Sequence, residues 1–327
     1  MISVIIPIYN SSLTLNECLE SIYGSTFKNF EVIVVSDCST DSSVHIAKNY
    51  NCKIIELDEN KGPAYARNIG SYEAKGDILF FVDSDVVIKK NALDHVNNEF
   101  SERDINVLQG IYSHEPNYRN IATQYQQSFY CYYTWSKDQQ YSFTLVSMCF
   151  AIRRKIFLDL KGFNTKIRRA TAEDEEFGYN LIDAGNKILI SRELNVEHRV
   201  NYTLKKFIKR NYNMYFETMK SFLRNKSFIK KMKQRNYSNV LLGVPLIGLV
   251  LLSLVLMVFF FNEKTFGLFL ILNAIFILLH FNFFKFVAFS KNISTALGII
   301  FTCYLDAFLM LLGVIFANVS YIFGKRY

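Results

Sequence analysis

Residues 78–85 read ILFFVDSD, which is five apolar residues followed by Asp83-Ser84-Asp85. A bounded apolar run of this length is typical of a buried strand. Acids two positions apart at a strand end can converge on a hard divalent cation, because Mg²⁺ and Mn²⁺ prefer carboxylate and phosphate oxygens. Asp83 and Asp85 are therefore candidate metal ligands, although many isolated DxD sequences are solvated turns.

The sequence before this run alternates strand-like and helix-like segments. The strand-like runs are 3–8, 31–35 and 53–57, and the helix-like segments are 11–22, 39–50 and 64–74. The order β-α-β-α-β-α-β with short connections predicts a parallel sheet covered on both faces. Ligands of such sheets bind beyond the C-terminal ends of the strands, which is where 7–10, Asp37 and Asp83 fall.

A second acidic cluster, Glu173-Asp174-Glu175-Glu176, precedes an apolar pattern of helical spacing that Gly185 can end. One interpretation is that these acids only favour a helix N-terminus through the dipole. The other is that one of them is a general base facing the metal site across a cleft. One acidic set would then bind a cation while the other removes a proton.

Several classes of protein are disfavoured. Half of the residues are hydrophobic, which is too many for a disordered chain, and four prolines exclude a Pro-rich stalk. The chain has no GxxxxGK[ST] loop, and no GxGxxG follows the first strand, so phosphate binding would use a metal. The six cysteines form no CxxC pair, which suits reduced thiols in a cytosol, and no signal peptide is predicted.

The C-terminal part is predicted to be a membrane region. Residues 240–323 contain five charged side chains, and three apolar runs are long enough to span a bilayer: Val240–Phe261, Thr265–Phe284 and Ile293–Phe323. Asp306 interrupts the third run, and a carboxylate there is costly unless it faces a partner or water. The alternative is a structural hydrogen bond to another helix.

The segment before these runs is strongly basic. Residues 200–235 hold eleven Lys and Arg against one acid, Glu217, in a chain of net charge +8. Beside an apolar block, such a run predicts a cytoplasmic surface meeting anionic lipid, with a solvated helical face as the alternative. Nucleic acid is disfavoured as a partner. The predicted domains are 1–200, a basic amphipathic juxtamembrane segment 201–239, and a transmembrane region 240–327.

Six motifs occur in an order that resembles the family 2 glycosyltransferases with the GT-A fold. They are VIIPIYN near the start, VVSDCSTDSS at 34–43, NKGPAYARNIG at 60–70, FVDSDV at 81–86, LKGFN at 160–164 and AEDEEF at 172–177. The resemblance covers about residues 1–200. It implies an α/β GT-A domain with a mostly parallel sheet, a nucleoside-diphosphate sugar donor, Mg²⁺ or Mn²⁺, and inversion at the anomeric carbon.

The resemblance also implies roles for individual residues. Asp37 would contact the nucleotide base, with Arg67 near the nucleotide, and Asp174 would be the catalytic base. Asp83 and Asp85 would lie near the metal diphosphate. His198 falls where some relatives place a metal or diphosphate contact, and the alternative is a histidine that lies on the surface or is packed in the fold. The remaining residues expected to bind the donor, by their place in the motifs, are Pro7, Tyr9 and Ser84.

Two departures refine the expectation. Ser36-Asp37-Cys38 replaces the usual Asp-Asp-Gly, which leaves the donor preference open. The Q/R-x-x-R-W signature of processive members is missing after Asp174, since the only tryptophan is Trp135, so transfer of one sugar per acceptor is predicted.

The predicted function is therefore metal-dependent transfer of one sugar from a nucleoside-diphosphate sugar to a lipid-linked or surface-polysaccharide acceptor. Two alternatives stay open: a polyprenyl-phosphate glycosyl synthase, and an inactive membrane scaffold of the same fold. The predicted location is the cell membrane, in contact with membrane lipid, with several spans and a cytoplasmic catalytic domain.

Overall fold

The computed structural model describes residues 1–113, 118–135, 140–142, 144–167, 173–224 and 238–324. The chain divides into two compact units. The sheet unit comprises Met1–Asn117 and Tyr133–Val200, and the helical unit comprises Tyr118–Tyr132 and Asn201–Tyr327. The aromatic segment 118–132 thus belongs with the C-terminal helices, although it lies within the predicted catalytic domain in sequence.

The sheet unit alternates strands and helices. Its strands are β1 Ile2–Ile8, β2 Phe30–Ser36, β3 Lys53–Glu56, β4 Ile78–Val82, β5 Val86–Val87, β6 Val107–Tyr112, β7 Tyr141–Ser142, β8 Cys149–Arg153 and β9 Ile188–His198. Its helices are α1 Leu15–Tyr23, α2 Ser43–Ala47, α3 Pro63–Tyr72, α4 Ala92–Glu102, α6 Arg154–Asp159 and α7 Glu173–Asp183. The predicted segments before residue 85 all occur.

The strands form one mixed sheet of order β3-β2-β1-β4-β8-β6-β9-β5 among the described residues. The first four strands are parallel, with Pro7 of β1 opposite Val35 of β2. The predicted GT-A-like α/β sheet is confirmed, with a refinement: β8 enters antiparallel between β4 and β6, and β5 and β7 each pair antiparallel with β9. Chain order reverses between β1 and β4, and open α/β sheets bind their ligands at such a position, beyond the C-terminal strand ends. We refer to this region as the crevice.

Aromatic rings pack the sheet against the helices that follow it. Phe81 of β4 stacks on Phe150 of β8 with ring centroids 4.6 Å apart. Phe163, from the LKGFN motif, contacts Phe81 and lies 4.8 Å from Phe177 of α7. This cluster is buried and fixes α7 relative to the C-terminal end of β4.

The LKGFN motif has a structural role at this point. Asn68 of α3 donates to the carbonyl of Phe163 at 2.9 Å and accepts from its amide at 2.9 Å. Gly162 makes the turn possible because its φ is +64°, and an added Cβ would collide with the Asn68 side-chain oxygen. The motif therefore clamps α3 to the aromatic cluster.

We expect Gly162→Ala to lower the apparent melting temperature strongly, because it combines a left-handed backbone cost of ~1–2 kcal/mol with overpacking of ~1–3 kcal/mol. Gly185→Ala is the matched control: its φ is +82°, and no described atom lies within 4 Å of the added Cβ. It should cost only the backbone term. Equal melting shifts for the two variants would contradict the clamp.

The helical unit contains six helices among its described residues. They are α5 Ile121–Trp135, α8 Leu204–Arg224, α9 Ser238–Phe259, α10 Glu263–Leu279, α11 Phe281–Ser290 and α12 Ile293–Ile322. The predicted basic segment 201–239 corresponds in part to α8, and its residues 225–237 lie outside the described residues.

The structure does not support the predicted number of three membrane spans. By length and composition, one described helix could cross a membrane: α12. The second predicted run is broken, because α10 and α11 meet at His280 with a bend of 66°, and the pair would add one span only if counted together. Hydropathy did not detect the bend, since apolar residues continue on both sides of it.

Asp306 has the polar partners that its burial requires. Its carboxylate accepts hydrogen bonds from Tyr125 Oη at 2.8 Å, Asn211 Nδ2 at 2.6 Å and Tyr215 Oη at 2.7 Å. These three residues come from α5 and α8, so the carboxylate joins three helices of the unit. The expectation of a helix–helix hydrogen bond at this position matches the arrangement found.

Candidate active site

The loops after β1 and β2 form one wall of the crevice. Pro7 is buried within β1, while Tyr9 just beyond the strand is 54% exposed. Asn10 adopts a left-handed backbone and its side chain accepts from the Thr40 amide at 2.9 Å. Asp41 binds the amide of Ser12 at 2.9 Å, which ties the same two loops together. Tyr9 is thus presented on a rigid rim.

Asp37, at the end of β2, is almost fully buried. Its two carboxylate oxygens accept from the backbone amides of Lys61 at 2.7 Å and Gly62 at 2.8 Å. This explains the NKGPAYARNIG motif locally, because the loop before α3 is held by its own amides. A carboxylate has about four acceptor positions, so Asp37 can still receive a further hydrogen bond from a nucleotide base.

Arg67 of α3 connects the two acidic clusters. Its Nη2 donates to Asp83 Oδ1 at 2.6 Å, and its Nη1 donates to Glu173 Oε1 at 3.2 Å. The guanidinium is buried and lies 5.7 Å from the Phe163 ring. Acids about 90 residues apart in sequence thus share one buried cation.

Asp85 and His198 are also brought together. His198 Nε2 lies 3.4 Å from Asp85 Oδ2, and β5 pairs antiparallel with β9 so that Val86 is opposite His198. The amide of Arg199 donates to the Asp85 carbonyl at 2.7 Å. The strand pairing therefore explains why a histidine more than a hundred residues away meets the DSD motif. Ser84 donates to Ser11 at 2.8 Å and faces the β1 loop.

Asp174 lies in the first turn of α7. Its Oδ2 accepts from the Ser147 amide at 3.0 Å and its Oδ1 from the Glu175 amide at 2.8 Å. The neighbouring acids have other roles: Glu173 binds Arg67, and Glu176 accepts from Asn164 at 2.6 Å. Successive helix residues point ~100° apart, which separates these functions.

The electrostatics of the cluster favour protons or cations. Burial raises the pKa of Asp83, although Arg67 opposes the shift. Burial likewise raises the pKa of Asp174, against the hydrogen bond from the Ser147 amide. The pKa of Arg67 is raised: burial lowers it, but Asp83 and Glu173 outweigh this. The guanidinium thus stays charged.

The donor set suits a divalent cation that is completed by a substrate. No group of three His, Cys, Asp or Glu side chains arranged to hold a metal occurs within the described part of the chain. Asp83, Asp85 and His198 nevertheless lie at one strand end, and Mg²⁺ typically uses one or two carboxylates together with phosphate oxygens and water. The residues present fit such a site.

The sheet order and the helices that flank it define a GT-A-like α/β domain. Residues 3–160 match the family Glycosyl transferase family 2. This match supports the resemblance that the motifs predicted, and it covers just under half of the chain. Asp174 and His198 lie beyond the matched stretch.

Two sequence relatives match about a third of the chain each. The chain is 36% identical over 117 residues to glycosyltransferase GlyG of Streptococcus pneumoniae, covering 34% of this chain and 39% of GlyG. It is 39% identical over 113 residues to the poly(ribitol-phosphate) beta-N-acetylglucosaminyltransferase TarS of Staphylococcus aureus, covering 32% of this chain and 20% of TarS. The chain thus spans less than half the length of these relatives.

Two solved structures show the same fold. Mannosyltransferase PcManGT from Pyrobaculum calidifontis, in complex with GDP-Man and Mn²⁺, superposes with a TM-score of 0.57 at 15% identity. The superposition covers 99% of this chain and 87% of the PcManGT chain. S. aureus TarS 1–349 in complex with UDP-GlcNAc has a TM-score of 0.51 at 18% identity. That superposition covers 99% of this chain and 92% of the TarS 1–349 chain.

Arg67→Gln should destabilise the sheet unit severely, because it leaves the buried carboxylate of Glu173 and the partly exposed carboxylate of Asp83 without their cation. Breaking a buried ion pair costs ~3–5 kcal/mol, which corresponds to a fall in melting temperature of roughly 6 °C or more. Lys155→Gln is the control, since Lys155 pairs with Asp159 on an exposed face of α6, where such pairs contribute ~0.3–0.5 kcal/mol. Thermal unfolding of both full-length variants tests this, and similar small shifts would refute the bridging role.

Proposed function

We propose that the chain transfers one sugar from a nucleoside-diphosphate sugar to an acceptor hydroxyl, with inversion at the anomeric carbon and with a divalent cation. The observation that carries the proposal is the joining of Asp83 and the first turn of α7 through Arg67. It puts the strand-end carboxylates and the Asp174 carboxylate at one crevice of a glycosyltransferase fold.

On the donor side, Asp37 and the rim residue Tyr9 are assigned to the nucleotide. Asp83, Asp85 and His198 would hold Mg²⁺ or Mn²⁺, with Ser84 and Arg67 beside them. When bound, such a cation neutralises charge on the leaving diphosphate. The two neighbours in complex with GDP-Man and UDP-GlcNAc support a nucleotide sugar as the donor class. A thermal-shift screen of UDP and GDP sugars with Mn²⁺ identifies the donor.

On the acceptor side, Asp174 is assigned as the general base. Its two amide contacts fix the carboxylate and leave acceptor positions for the incoming hydroxyl. Glu173 is unsuited because it is buried on Arg67. Proton removal then accompanies attack of the hydroxyl on the anomeric carbon, and no covalent nucleophile is needed.

We assign the acceptor to a lipid-linked saccharide or a surface polysaccharide. The transfer would take place at the cytoplasmic side of the cell membrane. The exposed apolar helices of the helical unit support membrane contact, because patches of this extent mark membrane or partner surfaces. The name of the TarS relative supports a surface polymer as the acceptor class. Labelled sugar recovered in the polymer supports this acceptor, whereas label in a polyprenyl-phosphate sugar identifies the alternative synthase.

Metal dependence is tested with Asp85→Asn. We expect the transfer rate to fall by at least ~10², because the variant loses a proposed ligand of the cation. The melting temperature should change little, because Asp85 lies just before the two-residue strand β5. Asp77→Asn is the control, since Asp77 precedes β4 at its opposite end and is 91% exposed. A variant that transfers sugar at the wild-type rate in EDTA would show that the metal assignment is wrong.

The base is tested with Asp174→Asn beside Glu175→Gln. Asp174→Asn should lower the transfer rate by ~10²–10⁴ with an unchanged donor dissociation constant, because general-base help is worth that much. For the wild type, the transfer rate should fall as pH drops through a pKa above the ordinary aspartate value, since burial raises the pKa of Asp174.

Glu175→Gln should retain transfer. The reverse result, an active Asp174→Asn and an inactive Glu175→Gln, would move the base to the next residue of α7. Loss of donor binding in Asp174→Asn would instead place this carboxylate on the donor side.

A further inference from the structure

One face of α12 is covered by two other helices along most of its length. Gly298 packs against Ile121 of α5, where an added Cβ would lie 2.9 Å from the isoleucine side chain. Asp306 binds Asn211, and further along Tyr321 Oη donates to the Leu223 carbonyl of α8 at 3.2 Å. From Gly298 to Tyr321 the helix rises roughly 35 Å, which is more than the ~30 Å hydrocarbon core of a bilayer.

The covering helix α8 is not suited to that core. Its charged residues are Lys205, Lys206, Lys209, Arg210, Glu217, Lys220 and Arg224. The part in contact with α12, between Asn211 and Leu223, itself includes Glu217 and Lys220. Ionisable side chains at membrane depth are rare and costly. If α12 crossed the bilayer, α8 would have to lie beside it at every depth.

The opposite face of α12 is apolar and is exposed towards both ends of the helix, whereas α9 and α10 pack on its middle, through Gly248 against Leu311 and Phe276 against Tyr304. The exposed residues of this face form an apolar stripe. They are Ile293, Leu297, Phe301, Ile315, Val319 and Ile322, and within each end group they follow one another at intervals of three or four. The buried face carries Ile299, Cys303, Asp306, Leu309 and Gly313 at the complementary spacing. A helix with one apolar face outward and a polar helix on its other side matches the arrangement of helices that lie in the membrane interface.

The preceding helix α11 supports the same placement. The 66° bend at His280 turns it away from α10. Its Phe283 packs against Tyr125 and Phe129 of α5, while Lys285 is exposed. An aromatic helix with a lysine on its open side is typical of the headgroup region.

We propose that α12 lies along one leaflet of the membrane, with its apolar stripe in the acyl boundary and α8 towards water. Both ends of α12 would then be on the same side of the membrane. The partner is a bilayer containing anionic phospholipid, because the exposed lysines of α8 would meet its headgroups. This placement concerns the membrane contact and does not depend on the transfer reaction.

The first test is the side of each helix end. Ser290→Cys and Phe323→Cys, both exposed, are made singly in the full chain with Cys38 and Cys52 changed to serine. Lys155→Cys, whose side chain is 83% exposed in the sheet unit, reports the side of that unit. Sealed right-side-out and inverted vesicles are treated with a membrane-impermeant maleimide.

We expect Ser290→Cys and Phe323→Cys to react in the same vesicle preparation, within about twofold of each other. Labelling of one in right-side-out vesicles and of the other in inverted vesicles would show that α12 crosses, and would overturn the proposal. The Cys38, Cys52 double serine chain without an added cysteine gives the background.

The second test measures depth and needs no sidedness. Phe301→Trp, Phe308→Trp and Ile315→Trp, which follow one another at seven-residue intervals on α12, are made singly in a Trp135→Phe chain. The proteins are reconstituted in phosphatidylglycerol vesicles with lipids brominated near either end of the acyl chain. A helix lying in the interface gives the same preference for shallow bromines at all three positions. Quenching that is deepest at Phe308→Trp, or graded from Phe301→Trp to Ile315→Trp, would overturn the proposal.

Discussion

The buried guanidinium of Arg67 is the interaction on which the crevice depends. It is held by α3 and reaches Asp83 after β4 on one side and Glu173 at the start of α7 on the other. One guanidinium set against Asp83, Asp85, Glu173 and Asp174 leaves the cluster negative. This imbalance adds to burial in raising the pKa of Asp83, and it also provides the field that would attract a divalent cation. The proposed cation site would thus use the same charges that stabilise the fold.

The periodic part of the sheet could be predicted from sequence because each element there is decided locally. Apolar runs of strand length, helix-like segments and short loops set β1 to β4 within a few residues. The place of Asp37 and Asp83 followed from one rule, that parallel strands end at a common edge. The antiparallel entry of β8 could not be predicted, since its run CFAIR has no feature that sets its direction.

The contacts within the site were less accessible to sequence reasoning. Asp83 and Glu173 are linked to Arg67 over separations of 16 and 106 residues, and only the folded chain brings them together. The same holds for His198, which reaches Asp85 through the pairing of β5 and β9. The Ser147 amide that fixes Asp174 has no sequence signal, because every residue but proline has such a group.

In the helical unit, hydropathy found the long apolar helix α12 but overestimated the number of spans. It measures how apolar a segment is, but a spanning helix and a helix packed under a polar neighbour can have the same composition. What separates them is the partner of each face, and α12 differs from a lipid-surrounded helix by its contacts with α5 and α8. Asp306 was the one sequence feature that marked this face, because a buried carboxylate in an apolar run demands donors from another helix.

The two sides of the crevice also differ in how they are encoded. The matched family region ends at residue 160 and contains Asp37, Arg67, Asp83 and Asp85, the groups assigned to the donor and its cation. Asp174 and His198 come from α7 and β9, beyond that region. Since Arg67 and the β5–β9 pairing tie the later residues to the earlier ones, the surface of the second half of the chain can vary while Asp174 keeps its place near Arg67. If the assignments hold, we expect residues after 160 to contribute to the choice of acceptor and residues of the matched stretch to contribute to the donor site.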